Sequence, residues 1–351
     1  SWGATPALTI ASRQSEVLGK AATVYGFTGA DGKAGISAKA GDRLTGAVLN
    51  SSDGGVITHW HGQVMAAEGQ DRAYSGGGEL AVGAQDIVDF ELTPGTHWMH
   101  SHQLTEQRMM AAPMITREAD AEDIQEVVLM LHDFAFRTPE EILAELGVSM
   151  MHGHGATGNE ADTGMGAMAG MDHSQMTMGG MSGMGGMMTH ANDVKYDAYL
   201  VNDRSLADPE VVQVDKGARV RLRIINGGTA TAFWIDPGML ESVVIATDGS
   251  PCQPLSAPAY PIAQGQRLDL IVTIPAEGGA FPIFAQVEAM PNRTGIILAT
   301  AGADVAKRGD MADAASAYVD SSFDARLLAV TSLPDRPSTQ MQHLMLGEEP
   351  G

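Results

Sequence analysis

The chain has 351 residues, more than one hydrophobic core usually organises, and this length favours two domains. Apolar residues make up 44% of the chain and charged residues 18%, a balance typical of globular proteins rather than of wholly disordered ones. Its 43 acidic against 21 basic residues give a formal net charge of -22, which argues against nucleic acid as a partner.

Membrane-spanning and disulfide-stabilised classes are also disfavoured. No stretch approaches the ~18 to 20 consecutive apolar residues that cross a bilayer, so we expect no membrane span. Ser1, Trp2 and Gly3 do not resemble the start of a secretory signal peptide, and we expect a chain that has already been processed. The single cysteine, Cys252, excludes an internal disulfide and a thiolate-rich zinc site.

Short β-rich runs separated by Gly, Asp and Asn occupy residues 23–90. Examples run from Arg43 to Leu49 and from Asp86 to Leu92, and none shows helical periodicity over a helix length. We therefore expect an antiparallel sandwich or barrel in this part of the chain.

Two short clusters in the same region hold five of the eleven histidines: His59-Trp60-His61-Gly62 and His97-Trp98-Met99-His100-Ser101-His102. Residues i and i+2 of a strand project from the same face, so each cluster can present two imidazoles to one pocket. If the two strands pair side by side, four imidazoles converge.

An all-histidine cluster without a nearby carboxylate favours copper over magnesium or calcium, and copper leads among the metals that imidazole binds. Histidines held on strands only by hydrogen bonds are the alternative, and for a single His-x-His pair that alternative is the commoner one. Two pairs with flanking tryptophans favour a metal site.

A short connecting helix is predicted after the first β-rich region. Thr138, Pro139 and Glu141 provide a capping residue, a proline in the first turn and a returning glutamate, and Ile142, Leu143 and Leu146 follow. Between residues 150 and 190 the composition then changes, because eleven of the 22 methionines lie there among glycines and four histidines. This Met-rich segment lacks Val, Leu and Ile and is predicted to be a flexible insert.

Strand patterns return after the insert. Residues 219–224 alternate with period two, and residues 268–274 have the pattern of a buried strand. This rhythm ends near residue 304, and residues 305–351 are interpreted as a connector without a closing strand. The sequence thus predicts three parts: residues 1–120, residues 121–305 and a connector over residues 306–351.

The two histidine clusters resemble the multicopper oxidase family, which marks its first domain with His-Trp-His-Gly and then Gly-Thr-x-Trp-x-His-Ser-His. The second motif begins here at Gly95 and Thr96. Further similarity lies in Arg221-Leu222-Arg223-Ile224-Ile225-Asn226, Asp248-Gly249 and Gly265-Gln266-Arg267-Leu268-Asp269. The resemblance covers about residues 20–300 and implies an all-β fold of tandem cupredoxin-like Greek-key β-sandwich domains.

By the same resemblance, His59 is implied to bind the type 2 copper, and His61, His100 and His102 the type 3 pair of a trinuclear cluster. His97 and Met99 replace the aromatic residues that are more usual there, and we expect them to pack rather than to bind metal.

The family's third domain carries further histidines and the cysteine that binds the type 1 copper, and this sequence has neither motif. Cys252 has no histidine beside it and is interpreted as a structural thiol. The resemblance therefore implies two domains of an oxidase, inactive alone, whose type 1 site lies in a missing third cupredoxin domain.

Three functions remain open: a copper oxidase, a copper-storage or chaperone protein, and a β-sandwich interaction protein. The oxidase would couple oxidation of Cu(I) or phenolic donors to reduction of dioxygen to water, in copper tolerance. Methionine thioethers favour Cu(I), so the Met-rich segment suits copper handling, but a plain flexible linker has a similar composition. The storage alternative does not explain the paired histidines. A periplasmic or secreted location follows from the resemblance.

Overall fold

The computed structural model describes residues 5–102, 108–138, 140–145 and 195–327, and these are almost entirely strand and loop. The all-β prediction is therefore confirmed. The Met-rich segment and residues 328–351 of the predicted connector lie outside the described residues. None of the described helices has the length and apolar character needed to cross a membrane.

The first eight strands form two four-stranded sheets that face each other. One sheet has the order β2-β1-β4-β6 and the other the order β3-β8-β7-β5. The strands are β1 Leu8–Val17, β2 Lys20–Gly29, β3 Ile36–Lys39, β4 Arg43–Asn50, β5 Thr58–His61, β6 Gln85–Glu91, β7 Gly95–Ser101 and β8 Ala111–Arg117. A single-turn helix, α1 (Arg72–Ser75), lies between β5 and β6.

Eleven further strands form a six-stranded and a five-stranded sheet. The first has the order β10-β9-β12-β17-β14-β15, and the second the order β11-β19-β18-β13-β16. The strands are β9 Gln125–Phe134, β10 Ala198–Val201, β11 Val211–Gln213, β12 Arg219–Asn226, β13 Phe233–Asp236, β14 Glu241–Thr247, β15 Ser250–Leu255, β16 Tyr260–Ile262, β17 Arg267–Thr273, β18 Ala280–Val287 and β19 Arg293–Ala299. The strands predicted from the two patterns after the insert are β12 and β17.

Each pair of sheets encloses its own apolar core. The first core includes Phe27, Trp60, Phe90 and Met99. The second is larger, and it contains Cys252 as a buried free thiol. Burial of this size supplies the main favourable free energy of folding, at roughly 25 cal/mol per Å² of apolar surface. The buried position agrees with the structural interpretation of Cys252.

The predicted connecting helix is present over residues 140–145. Its first turn is a capping box: the Glu141 amide donates to Thr138 Oγ1 at 3.2 Å, and the Thr138 amide donates to Glu141 Oε2 at 2.7 Å. The side chain of Ile142 is buried.

Residues 301–323 contain no strand and lie along the five-stranded sheet. The Trp234 indole N–H donates to the carbonyl of Ala317, and Phe323 enters the second core. The described part of the predicted connector is therefore held on the sheet by the backbone carbonyl of Ala317 and by the side chain of Phe323.

Five charged side chains form a buried cluster where the two pairs of sheets meet, which we call the interface ion cluster: Glu118, Glu126, Arg221, Arg223 and Asp269. Arg223 is fully buried and donates to both glutamates at 2.7 to 3.2 Å. Arg221 donates to Asp269 at 2.7 and 2.9 Å. Because each charge has a partner, the network is tolerated away from water, and removal of one member leaves an uncompensated charge.

We predict that Arg223→Ala lowers the free energy of unfolding by about 3–5 kcal/mol, the usual effect of breaking a buried ion pair from one side. Arg43→Ala is the control, since Arg43 pairs with Asp89 on the surface where both side chains are more than half exposed, and its loss of stability should be far smaller because water screens the pair. Urea unfolding of both variants measures the difference, and equal losses would contradict a special role for burial.

Candidate metal centre

The two histidine motifs lie on neighbouring antiparallel strands. β5 pairs with β7 so that His59 lies opposite His100 and Trp60 opposite Met99. Side chains alternate between the faces of a strand, so the imidazoles of His59, His61 and His100 share one side of the sheet, while Trp60 and Met99 enter the first core on the other. The sequence prediction of side-by-side strands is confirmed.

The imidazoles of His59, His61 and His100 meet in space. One nitrogen from each ring lies within 4.8 Å of the others. Nδ1 of His61 and Nε2 of His100 face each other at 3.3 Å. The ring centroids of His59 lie 5.2 Å from those of both His61 and His100.

The structure places His102 beside this group and not within it. Its ring centroid lies 5.0 Å from that of His100 and 4.9 Å from that of His59. It comes just after the end of β7, and it is the exposed member of the four. Its ring therefore extends the cluster towards solvent.

Trp98 supports two of the rings from one side. Its indole stacks on His100 with centroids 4.1 Å apart and on His61 with centroids 5.3 Å apart. The indole is almost fully buried. A rigid aromatic plane against both rings restricts their rotation, so their nitrogens keep their directions.

Asp71, which caps the N-terminus of α1, fixes His59 from the other side. His59 Nδ1 donates to Asp71 Oδ2 at 2.9 Å, and the Trp60 amide donates to the same oxygen at 3.1 Å. The other carboxylate oxygen accepts from the Ala73 amide. Tyr74 adds an edge contact to the His59 ring at 5.0 Å. A proton held on Nδ1 leaves the lone pair on Nε2, as at metal sites whose histidines donate to carboxylates.

His100 has a comparable arrangement, because its Nδ1 donates to the Ser101 carbonyl at 3.2 Å. The lone pair then lies on Nε2, the atom that faces His61.

Burial keeps the imidazoles of His61, His100 and His102 neutral. It lowers the pKa of His61 to about 3, with the Arg267 guanidinium as the next cause, and it lowers the pKa of His100 to about 2, with neighbouring His59 next. Partial burial of the ring, with neighbouring His59 as the next cause, also lowers the pKa of His102. At neutral pH all three therefore offer lone pairs and carry no charge.

His97 and Met99 lie away from the cluster, as expected. Met99 belongs to the first core. His97 is buried against Arg267, whose Nη2 lies 3.3 Å from His97 Nδ1, and its Nε2 donates to the Pro94 carbonyl at 3.1 Å. Both nitrogens of His97 thus have protein partners.

An open cleft of about 760 Å³ borders the site. Its walls include His59, His61, Asp71 and Tyr74, and on the far side Asp248 and Arg267 from the second pair of sheets. The cleft gives small molecules a route to the imidazoles.

The donor set fits a copper ion. Two nitrogens on one metal, with bonds of about 2.0–2.1 Å, lie at most about 4.2 Å apart, and the His61–His100 separation of 3.3 Å meets this limit. Neutral imidazoles are ligands that copper favours. Only three nitrogens converge closely among the described residues, so this arrangement is an incomplete ligand set for more than one ion.

Sequence reasoning did not identify Asp71, Tyr74 and Arg267 as site residues. Asp71 lies in a loop with no strand periodicity, and its signal was only that of a helix-capping aspartate before α1. Arg267 stood within a motif, yet its contact with His97 spans 170 positions of sequence. Contacts of that range depend on how the two pairs of sheets pack.

We predict that, in the metal-free chain, His100→Gln makes the free energy of unfolding fall less steeply as the pH decreases. Since the folded-state pKa of His100 lies below its unfolded value, its contribution is fully present above about pH 6.5 and is lost as pH falls towards about 2. As pH falls below about 6.5 the extra loss of the unsubstituted chain should steepen, and it should approach about 1.4 kcal/mol per pH unit near pH 5.

Urea unfolding at several pH values measures the two slopes. Above pH 7.5 they should coincide, because neither state of His100 takes up a proton there. Coincident slopes below pH 6.5 would show that His100 is protonated in the folded chain.

Comparison with known proteins agrees with this geometry. Two family models described as multicopper oxidase match residues 9–120 and 171–303, which together are more than half of the chain.

Two curated relatives match most of the chain. Multicopper oxidase MmcO of Mycobacterium tuberculosis is 27% identical over 260 residues, covering 72% of this chain and 48% of the relative. A copper resistance protein A homolog of Pseudomonas syringae pv. tomato is 27% identical over 298 residues, covering 80% of this chain and 48% of the relative. The chain spans about half the length of these relatives.

Among solved structures, the blue copper oxidase from Nitrosomonas europaea superposes with a TM-score of 0.59 at 19% identity, with 84% of each chain covered. This likeness identifies the fold as cupredoxin-like β-sandwich. With imidazoles of both histidine motifs converging in space and two family models matched in order along the sequence, the chain belongs to the multicopper oxidase family.

Proposed function

We propose that this chain contributes one side of the oxygen-reducing copper cluster of a multicopper oxidase. The observation that carries the proposal is the convergence of three imidazole nitrogens, from His59, His61 and His100, within 4.8 Å on two paired strands. The neutral imidazoles of His61 and His100, together with the open cleft that His59 and His61 line, suit a centre that binds a redox metal and admits a small substrate.

We assign His59 to the type 2 copper, and His61, His100 and His102 to the type 3 pair. The different surroundings of His59 support its separate assignment, since its Nδ1 donates to the Asp71 carboxylate whereas Nδ1 of His100 donates to a backbone carbonyl. Residues 1–120 and 121–305 form two cupredoxin-like domains, and residues 306–351 lead to a third. That third domain supplies the type 1 copper and the remaining ligands, which agrees with relatives about twice as long.

The chain's own residues orient the ligand rings. Asp71 holds the proton of His59 on Nδ1, and the Ser101 carbonyl does the same for His100. Trp98 keeps the His61 and His100 rings in place. Bound copper supplies one-electron redox chemistry for the reduction of dioxygen to water. Preorganised ligands of this kind keep the reorganisation cost of that chemistry low.

Cu(I) or phenols are the proposed electron donors, and copper tolerance in the periplasm, or after secretion, is the proposed role. A relative named copper resistance protein A homolog supports this role, as does the Met-rich segment, whose thioethers favour Cu(I). Copper storage without oxidase activity is the alternative.

We predict that the 351-residue chain binds Cu(II) at this site and that His100→Ala weakens the binding at least about tenfold, because one of three converging nitrogens is lost. Cys252→Ser is the control, since Cys252 lies in the second core, and its affinity should match that of the unsubstituted chain. Titration monitored by electron paramagnetic resonance measures both. Equal binding by the His100 variant would place the copper elsewhere.

Oxygen uptake distinguishes an oxidase from a storage protein. We predict that a protein extended beyond Gly351 by its third domain consumes oxygen with Cu(I) or phenolic donors, and that the 351-residue chain does not. His100→Ala in the extended protein should remove most of this uptake, because His100 is a proposed ligand of the reacting coppers. Copper binding without oxygen uptake by the extended protein would favour storage.

A further inference from the structure

Strand β7 carries His100 near one end and contacts the second domain at the other. At Gly95 the two backbones touch, because a Cβ atom added there would lie 2.6 Å from the carbonyl oxygen of Gly249 in the turn between β14 and β15. The position of β7 is therefore coupled to the second domain.

Thr96 joins β7 to the interface ion cluster. Its hydroxyl donates to Asp269 Oδ2 at 3.0 Å and accepts from Arg223 Nη1 at 3.0 Å. Thr96 is fully buried, so both bonds are shielded from water. The Thr96 hydroxyl thus makes two hydrogen bonds to residues of the second domain, one as donor and one as acceptor, and these fix its position.

Arg267 makes the next set of contacts. Its Nε donates to the Thr96 carbonyl at 3.1 Å, and its Nη2 lies 3.3 Å from His97 Nδ1. The His97 ring fills a space in which Cβ atoms on Gly62 and Gly249 would lie 2.0 and 2.2 Å from ring atoms. Arg267 therefore holds two consecutive residues of β7, three positions before His100.

The same guanidinium also holds a turn that touches the cluster. Arg267 Nη1 donates to the Gly265 carbonyl at 3.1 Å. A Cβ atom on Gly265 would lie 3.6 Å from His61 Cε1 and 3.9 Å from Trp98 Cζ2, so this turn lies directly against both rings. One buried side chain thus links β7 to the turn that covers His61.

We propose that Arg267 is a positioning residue through which the second domain fixes the rings of His61 and His100 for metal binding. The inference rests on the proposed copper centre, and it adds that the first domain's ligands depend on the second domain for their geometry. Arginine suits this role because its rigid planar fork spreads five N–H donors widely enough to meet Thr96, His97 and Gly265 together, whereas a lysine ammonium is a compact charge with a different donor geometry.

The test compares Arg267→Lys with Arg221→Lys in the 351-residue chain. Both arginines lie in the second domain with little exposure, but Arg221 donates to Glu118 and Asp269 and not to β7. Hydrogen exchange of the metal-free protein reports on β7, with β4 of the same domain as the reference. Cu(II) titration then reports on the ligands themselves.

Arg267→Lys should speed exchange in β7 relative to β4 and weaken Cu(II) binding about tenfold, the usual effect of losing an outer partner of a metal ligand. Arg221→Lys should leave Cu(II) binding within about twofold. Unchanged β7 exchange in Arg267→Lys, or faster exchange with unchanged copper affinity, would overturn the inference. Failure of the unsubstituted chain to bind Cu(II) would instead refute the proposed centre and this inference together, a result distinct from loss in the variant alone.

Discussion

The register between β5 and β7 is the constraint on which the site depends. In this register Trp60 and Met99 enter the first core, and His59 and His100 lie opposite each other on the other face. A slip by one residue would exchange the two faces of a strand, and would place histidine in the core and tryptophan in the cleft. Burial of one large apolar side chain is worth several kcal/mol, so the hydrophobic core selects the arrangement in which the imidazoles converge.

Burying several imidazoles side by side costs desolvation free energy, and hydrogen bonds with neighbouring residues offset this cost. Buried ring nitrogens need partners, and the structure provides a carboxylate for His59 and a backbone carbonyl for His100. The indole of Trp98 stacks on one side of the His61 and His100 rings and leaves their nitrogens available to other partners. The rings therefore have defined directions, and the low pKa values of His61 and His100 let a metal ion bind these two rings without competition from protons at neutral pH.

The parts of this arrangement that follow local rules could be predicted from sequence. Period-two spacing placed His59 with His61, and the capping pattern at Thr138 identified the connecting helix. The same spacing rule grouped His102 with His100, but β7 ends at Ser101 and His102 lies beside the converging nitrogens. Arg221 and Arg223 illustrate what local rules miss. They occupy alternate positions of β12, a pattern that also suits a strand with one solvent face, yet both are buried because β7 and the neighbouring acidic side chains cover that face. Only the packing of one pair of sheets on the other decides whether this face of β12 is exposed or buried.

The charges around the cleft explain why an arginine can stand beside a proposed cation site. A guanidinium near a metal ion opposes binding through Coulomb repulsion, strongly where water is excluded. Arg267, however, pairs with Asp248 on the cleft wall, at 3.5 Å, and Asp71 adds a buried carboxylate on the opposite side, in direct contact with His59. The walls of the cleft therefore hold two carboxylates and one guanidinium. The hydrogen bonds of Arg267 can then order β7 and the Gly265 turn, while the carboxylates offset the field that its charge would otherwise impose on a bound metal.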